Sequence, residues 1–333
     1  MRSHGSSIPE AKHIAGLFDQ MASEYDDLAD LWYSWLFSRL HYLIGGAVCR
    51  DGDLHPGCKA LDVGCGTGFQ SILLSLFGFD VNGLDISPGL VQVAASKSPS
   101  TYLTQNLFKS PYRFTYEYWR QTLALAAKKR GPAGVGRVSY KVGSATRLPF
   151  ADGHFDLVNC CGSTLSFVDD YGRAMQELVR VLRPGGVLIL EVESKYNMDL
   201  AWMLLDGCFG VPIGFDEKCG RVLGIFASGR NRHGSTLFPF STHGGEILLP
   251  IRLYSRRQLF SELRELSIRI GEFHGIHGLT NIIPSVVLDH SRPTRFLQLS
   301  FSLLRRVEAL AGSWPVVRAL GCSMVIVGKR LEQ

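Results

Sequence analysis

Apolar positions recur along this chain in two rhythms, one helical and one of short strand-like runs. Ile14, Leu17, Phe18, Met21, Tyr25 and Leu28 return at helical spacing, which predicts an amphipathic helix near residues 9 to 30. Leu31 to Val48 reads as a second helix, rich in aromatics at Trp32, Tyr33, Trp35, Phe37 and Tyr42. Arg39 and His41 interrupt it, and it is too short and polar to span a bilayer. Apolar runs near 60–63, 80–84, 138–142, 156–160 and 186–192 read as strands. Helices follow Gly68, Ser87 and Asp170, ending near Leu76, Lys97 and Leu182, and the β-branched stretch Cys322 to Lys329 reads as the last strand. Strands alternating with helices predict a doubly wound α/β fold, a mostly parallel sheet with helices on both faces.

Three stretches exceed this minimal alternation. The first, about 98–137, carries Tyr112, Phe114, Tyr116, Tyr118 and Trp119 before the basic Lys128-Lys129-Arg130. The second, about 194–250, holds Trp202, Met203, Phe209, Phe215, Phe226 and Phe238 among glycines; the third, about 274–320, contains a helix from Thr294 to Ala311. Open α/β sheets bind ligands beyond the carboxyl ends of their strands, where the second stretch emerges, so it is the expected substrate lid. Each aromatic taken singly reads as local core. Together, apolar loops over a crevice favour a hydrophobic or aromatic small-molecule substrate. The expected organisation is an N-terminal helical cap over 1–50 and a main domain over 51–333 that carries these insertions.

Charge and cysteines narrow the partners. The 333 residues sum to +5 with no basic tract to follow a nucleic-acid backbone, so nucleic acid is not expected. Eight cysteines in apolar or loop settings, behind an N-terminus without an apolar signal region, read as reduced thiols of a cytoplasmic protein. Cys208 and Cys219 lack zinc-site spacing, and no metal is expected.

The chemistry concentrates between Lys59 and Asp85. A strand ending at Val63 runs into Gly64, Gly66 and Gly68; a second strand ends on Asp85. Such glycines let a ligand approach the backbone, and an acid at the second strand tip suits ribose hydroxyls. The spacing is G-x-G-x-G rather than the dinucleotide G-x-G-x-x-G, and Asp62 precedes it. A carboxylate there repels pyrophosphate and suits an ammonium.

Leu61-Asp62-Val63-Gly64-Cys65-Gly66-Thr67-Gly68 resembles the first motif of class I S-adenosylmethionine-dependent methyltransferases, and Gly83-Leu84-Asp85-Ile86-Ser87 the second. Gly143-Ser144-Ala145-Thr146-Arg147-Leu148-Pro149-Phe150 is similar to the adenine loop, with Ser144 in place of the usual acid. Asp152-Gly153-His154-Phe155-Asp156 and Arg183-Pro184-Gly185-Gly186 resemble the turns into strands four and five. Phe18-Asp19-Gln20-Met21-Ala22-Ser23-Glu24-Tyr25-Asp26 is similar to the capping helix of quinone-biosynthesis C-methyltransferases. The resemblance implies a Rossmann-like seven-stranded sheet whose last strand lies antiparallel beside the fifth. It also implies S-adenosylmethionine as cofactor. Asp62 would hold its ammonium, directly or through water; Gly64, Cys65, Gly66, Thr67 and Gly68 would pack against it; Asp85 would take its ribose. Ile86, Ser87, Leu90, Ser144 and Ala145 would surround the adenine, while Cys161, Gly162 and Ser166 would pass its methionine end and Tyr25 would close the site.

The implied enzyme transfers a methyl group to a small, largely hydrophobic or aromatic acceptor by O- or C-methylation. Candidates for a general base are Tyr196, Glu193 and His243, with His233 also in view, and His274 and His277 expected just after a sixth strand. Two other readings stand beside it. One is a methyltransferase of a membrane lipid or quinone, with Leu279 to Arg306 in peripheral contact with a bilayer. The other is a cofactor-binding regulatory protein without turnover.

Overall fold

The computed structural model describes residues 8, 10–27, 30–99, 110–215, 218–229, 233–242, 245–288, 293–312 and 314–332. Strands β1 (Lys59–Val63), β2 (Asp80–Asp85), β3 (Val138–Val142), β4 (Phe155–Cys160) and β5 (Leu182–Glu193) run parallel. Strands β6 (Gly234–Thr242) and β7 (Gly245–Leu253) form a separate hairpin, and β8 (Ile268–Ile276) and β9 (Ser323–Arg330) complete the large sheet. Its order is β3-β2-β1-β4-β5-β9-β8, with β9 antiparallel to both neighbours. This is the Rossmann-like seven-stranded arrangement with a reversed final strand.

Successive side chains of each strand go to opposite faces, and both faces are buried, as a parallel sheet requires. Leu157, Ile189 and Val325 join the core beneath α2 (Leu31–Arg50), α3 (Phe69–Leu76) and α5 (Arg113–Arg130). Val158, Leu188, Leu190 and Ile326 join the other, beneath α6 (Tyr171–Val181) and α9 (Arg256–Glu265). Helix starts are marked by capping side chains: Asp30 accepts from Tyr33 N at 2.8 Å and Asp170 from Arg173 N at 2.9 Å.

Three details depart from expectation. Helix α1 (Ala11–Met21) is shorter than the pattern predicts, because Glu24, Asp26 and Asp27 cluster where a helix C-terminus repels anions; Tyr25–Asp27 forms a 3₁₀ turn instead, and Leu28 lies outside the described residues. In the first insertion, by contrast, the aromatics read singly as local core include one that is: helix α5 packs Trp119, with Ala126, into the main core. His274 lies within β8 rather than after it. Finally, Cys208 and Cys219 are joined, against the expectation of reduced thiols throughout: α7 (Met198–Phe209) ends where α8 (Cys219–Ala227) begins, bringing their Cα atoms to 4.8 Å.

Candidate active site

The carboxyl ends of β1 and β2 build the loop at the centre of the site. Gly64 and Gly66 hold φ of 71° and 52°, a left-handed conformation that glycine adopts without steric cost. A Cβ on Gly64 would overlap the Thr164 side chain, whereas one on Gly66 would project into open space with Tyr25 Cε1 at 3.8 Å. Gly64 N and Cys65 N donate to Leu84 O at 2.7 and 3.1 Å, fastening the loop to β2. Asp85 then accepts from Gly66 N at Oδ2 and from Ser87 N at Oδ1, each at 2.9 Å. Burial raises the pKa of Asp85, and these N–H donors hold the rise in check.

Above the loop lies a cavity of about 700 Å³. Of the residues assigned to cofactor from sequence, Tyr25, Gly64, Gly66, Asp85, Ile86, Leu90, Ser144, Ala145 and Gly162 line it. The other seven stand behind. Thr67 Oγ1 donates to Asp26 at 2.6 Å, and Gly68 caps α3. Ser87 Oγ caps α4 (Pro88–Ala95) by accepting from Leu90 N at 3.0 Å. Asp19 accepts from Ser87 Oγ at 2.5 Å and Gly89 N at 2.8 Å, clasping α1 onto the start of α4. Cys65 and Cys161 are buried thiols, and Ser166 Oγ accepts from Glu193 N at 3.4 Å.

Asp62 is the clearest correction. Expected to hold an ammonium directly or through water, it is 1% exposed and does not line the cavity, which speaks against the direct contact. Ser71 Oγ donates to it at 2.6 Å and Asn159 Nδ2 at 2.8 Å; burial lifts its pKa to about 6 against those bonds. Asn159 also donates to Gln70 Oε1 at 2.6 Å, so Asp62 braces β1, β4 and α3 beneath the glycines.

A second cavity, about 1,140 Å³, meets the first at Phe18, Tyr25, Gly162 and Phe167. Trp32, Tyr33, Leu36 and Phe37 of α2 face Leu237, Leu249, Ile251 and Leu253 of the hairpin across it. Ser163, Glu193, Asn197 and Asp199 form a polar patch in this apolar chamber. Glu193 Oε1 accepts from Ser163 Oγ at 2.7 Å; burial, then the nearby Glu191 charge, pushes its pKa up to about 8. Asp199 accepts from Ser285 N at 3.0 Å and is raised by burial to about 6.

The other proposed bases are placed elsewhere. Tyr196 packs with Leu200, Val222 and Ile225 and is not part of the chamber's lining. His243 lies outside the described residues. His233 accepts from Ser255 N and pairs with Glu262, His274 pairs with Glu272, and His277 stacks on Trp32 at 3.6 Å.

Comparison with known proteins fits this geometry. Residues 54–115 and 103–190 match family models described as a methyltransferase domain. A demethylmenaquinone methyltransferase of Leptospira interrogans is 30% identical over 213 residues, spanning 60% of this chain and 70% of that protein. This chain belongs to the class I S-adenosylmethionine-dependent methyltransferases. A malonyl-[acyl-carrier protein] O-methyltransferase of Serratia marcescens is 27% identical over 199 residues, 58% of this chain and 59% of that protein. A demethylmenaquinone methyltransferase of Renibacterium salmoninarum is 29% identical over 192 residues, 56% of this chain and 62% of that protein. The chain thus spans only about three fifths of the length of these two relatives. The crystal structure of the [4+2]-cyclase SpnF shares the fold at a TM-score of 0.52 and 17% identity, with 99% of this chain and 100% of that chain covered.

In this methyltransferase several cavity residues escaped the sequence reading. Ile14 and Phe18 read there as a core stripe, yet line the first cavity. Thr164, Phe167 and Val168 come from the turn after β4, which carries no periodic signal. The aromatic run of α2 was visible; its face toward a chamber was not.

Proposed function

We propose that this chain transfers a methyl group from S-adenosylmethionine to a small, largely hydrophobic or aromatic acceptor, by O- or C-methylation. The observation that carries the reading is the pair of cavities meeting at Tyr25, Gly162 and Phe167, one polar at Asp85 and one apolar. The cofactor fits the first. Gly66 leaves space that a Cβ would fill, and Asp85 retains acceptor capacity for ribose hydroxyls beyond its backbone bonds. Ile86 and Leu90 would face the adenine, and Ser144 and Ala145 its edge.

S-adenosylmethionine supplies a methyl group already activated on a sulfonium. What the protein adds is alignment and exclusion of water, for which proximity and orientation count most. Tyr25 and Phe167 line both cavities, so an acceptor in the apolar chamber would meet the cofactor beside them. Glu193 is the best-placed base, a carboxyl near neutral pKa inside the chamber, steadied by Ser163. It would take the proton of a phenol or an enolisable carbon.

The names of the Leptospira and Renibacterium relatives favour a quinone-like acceptor within this class. The fold alone does not decide turnover, since a cyclase shares it. Incubation with methyl-labelled cofactor and a panel of phenols and quinols tests the reading. Label in an acceptor is the expected result; calorimetric binding of a nicotinamide or flavin nucleotide in place of S-adenosylhomocysteine contradicts it.

A further inference from the structure

Helix α11 (Arg295–Ala311) buries one stripe and leaves the opposite one bare. Inward, Arg305 lies over the rings of Phe114 and Trp35 at 4.7 and 5.3 Å. Glu308 accepts from the backbone N–H groups of His277, Leu279 and Thr280 and from Trp35 Nε1. Outward, Phe296, Leu299, Leu303, Val307 and Leu310 recur every three or four residues, exposed by 80, 72, 64, 43 and 85%. Trp314 and Val316 extend the bare surface beyond the helix end, at 65 and 69%. A helix on the surface of a globular protein turns polar residues outward; this one turns out leucines.

The exposed charges carried by the helix itself have one sign. Arg295 and Arg306 are exposed there, and the helix's single acid, Glu308, is the buried one. An apolar stripe rimmed by cations, with an indole at its end, matches the boundary between anionic headgroups and acyl chains. A second copy of this chain fits less well, because pairing this helix with itself would bring its exposed arginines, Arg295 and Arg306, against one another.

We propose that α11 lies flat on an anionic bilayer surface, with Phe296, Leu299, Leu303 and Leu310 in the headgroup–acyl boundary and Arg295 and Arg306 among the phosphates. Arg305, which sequence alone puts in the same basic segment, takes no part because Trp35 and Phe114 cover it. The segment just before α11 bears on the site: Ser285 and Val286 of α10 (Ser285–Leu288) line the apolar chamber. A surface that holds the protein on lipid therefore neighbours, along the chain, the wall of the cavity that would receive a lipophilic molecule.

The test needs no turnover, so it stands or falls apart from methyl transfer. The full chain is sedimented at low salt with vesicles of phosphatidylcholine alone or of phosphatidylcholine and phosphatidylglycerol in equal parts. Binding to the anionic vesicles, weakened by high salt, is expected. The paired substitution Leu299→Asp with Leu303→Asp touches only exposed positions and should lower partitioning about tenfold or more while the melting temperature stays unchanged. Arg295→Gln with Arg306→Gln should lower it about fivefold per arginine, on the anionic vesicles alone. No co-sedimentation at low salt, equal binding to both vesicle types, or unchanged binding by the leucine pair overturns the proposal. So does a dimer, seen by analytical ultracentrifugation, that the leucine pair dissolves.

Discussion

At the scale of single residues, Asp85 and Glu193 carry the sharpest expectations. Removing the carboxylate in Asp85→Ala should weaken S-adenosylhomocysteine binding by about 1–3 kcal/mol, as loss of charged hydrogen bonds does. Calorimetry showing equal affinity would remove Asp85 from the ribose. Glu193 works as a base only when ionised, and its pKa lies near 8, so turnover should rise with pH up to that value. In Glu193→Gln the rise should vanish along with most of the rate, cofactor affinity being kept; an unchanged pH profile assigns the base elsewhere. Asp85 was legible because its position at a strand tip is written in the chain. The direct contact expected of Asp62 was not legible for a physical reason: spacing places a carboxylate beside a loop but does not tell whether the loop's front or back receives it. Ser71 and Asn159, which donate to it, come from two other elements.

At the scale of elements, strands and their helices were visible because their periods are local. The hairpin of β6 and β7 was not: its strands mix Gly, Ser, Thr and Pro with apolar residues, and its partner face is a chamber rather than a sheet. The bridge between α7 and α8 was equally hidden, since only the packing of those helices sets its reach. Under denaturing conditions six thiols should react before reduction and eight after it; eight from the outset would show the two helices unlinked. Glu308 joins α11 to the turn at 277–280 through one buried carboxylate. Glu308→Ala leaves those donors unsatisfied and should cost about 3–5 kcal/mol in urea unfolding. A loss below one kcal/mol, roughly the worth of a single neutral bond, would mean that water replaces it.

For the whole molecule, the burial of ionisable groups sets how stability follows pH. His41 and His277, lowered by burial to about 3 from 6.5, take protons only in the unfolded chain across that interval, so stability climbs with pH through it. Buried carboxyls work in reverse. Asp62 and Asp199, raised to about 6, and Glu193, raised to about 8, keep in the fold a proton that the unfolded chain has already released. Their contribution is full below the unfolded values of 3.8 and 4.5 and is lost as pH climbs through the folded ones. Above 6.5 the histidines add nothing more, so the melting temperature should fall from pH 6.5 to 8, and less so in Glu193→Gln. A flat scan over that range would contradict the burial of Glu193. The clasp of Asp19 on Ser87 and Gly89 has a further consequence, one of timing. Because α1 lends Ile14 and Phe18 to the lining of the cavity proposed for the cofactor, drawing it away means breaking two hydrogen bonds to one carboxylate. The interval between successive turnovers would then be governed by how often an N-terminal flap swings clear, and Asp19→Ala should hasten the departure of spent cofactor more than it slows the bond-making step.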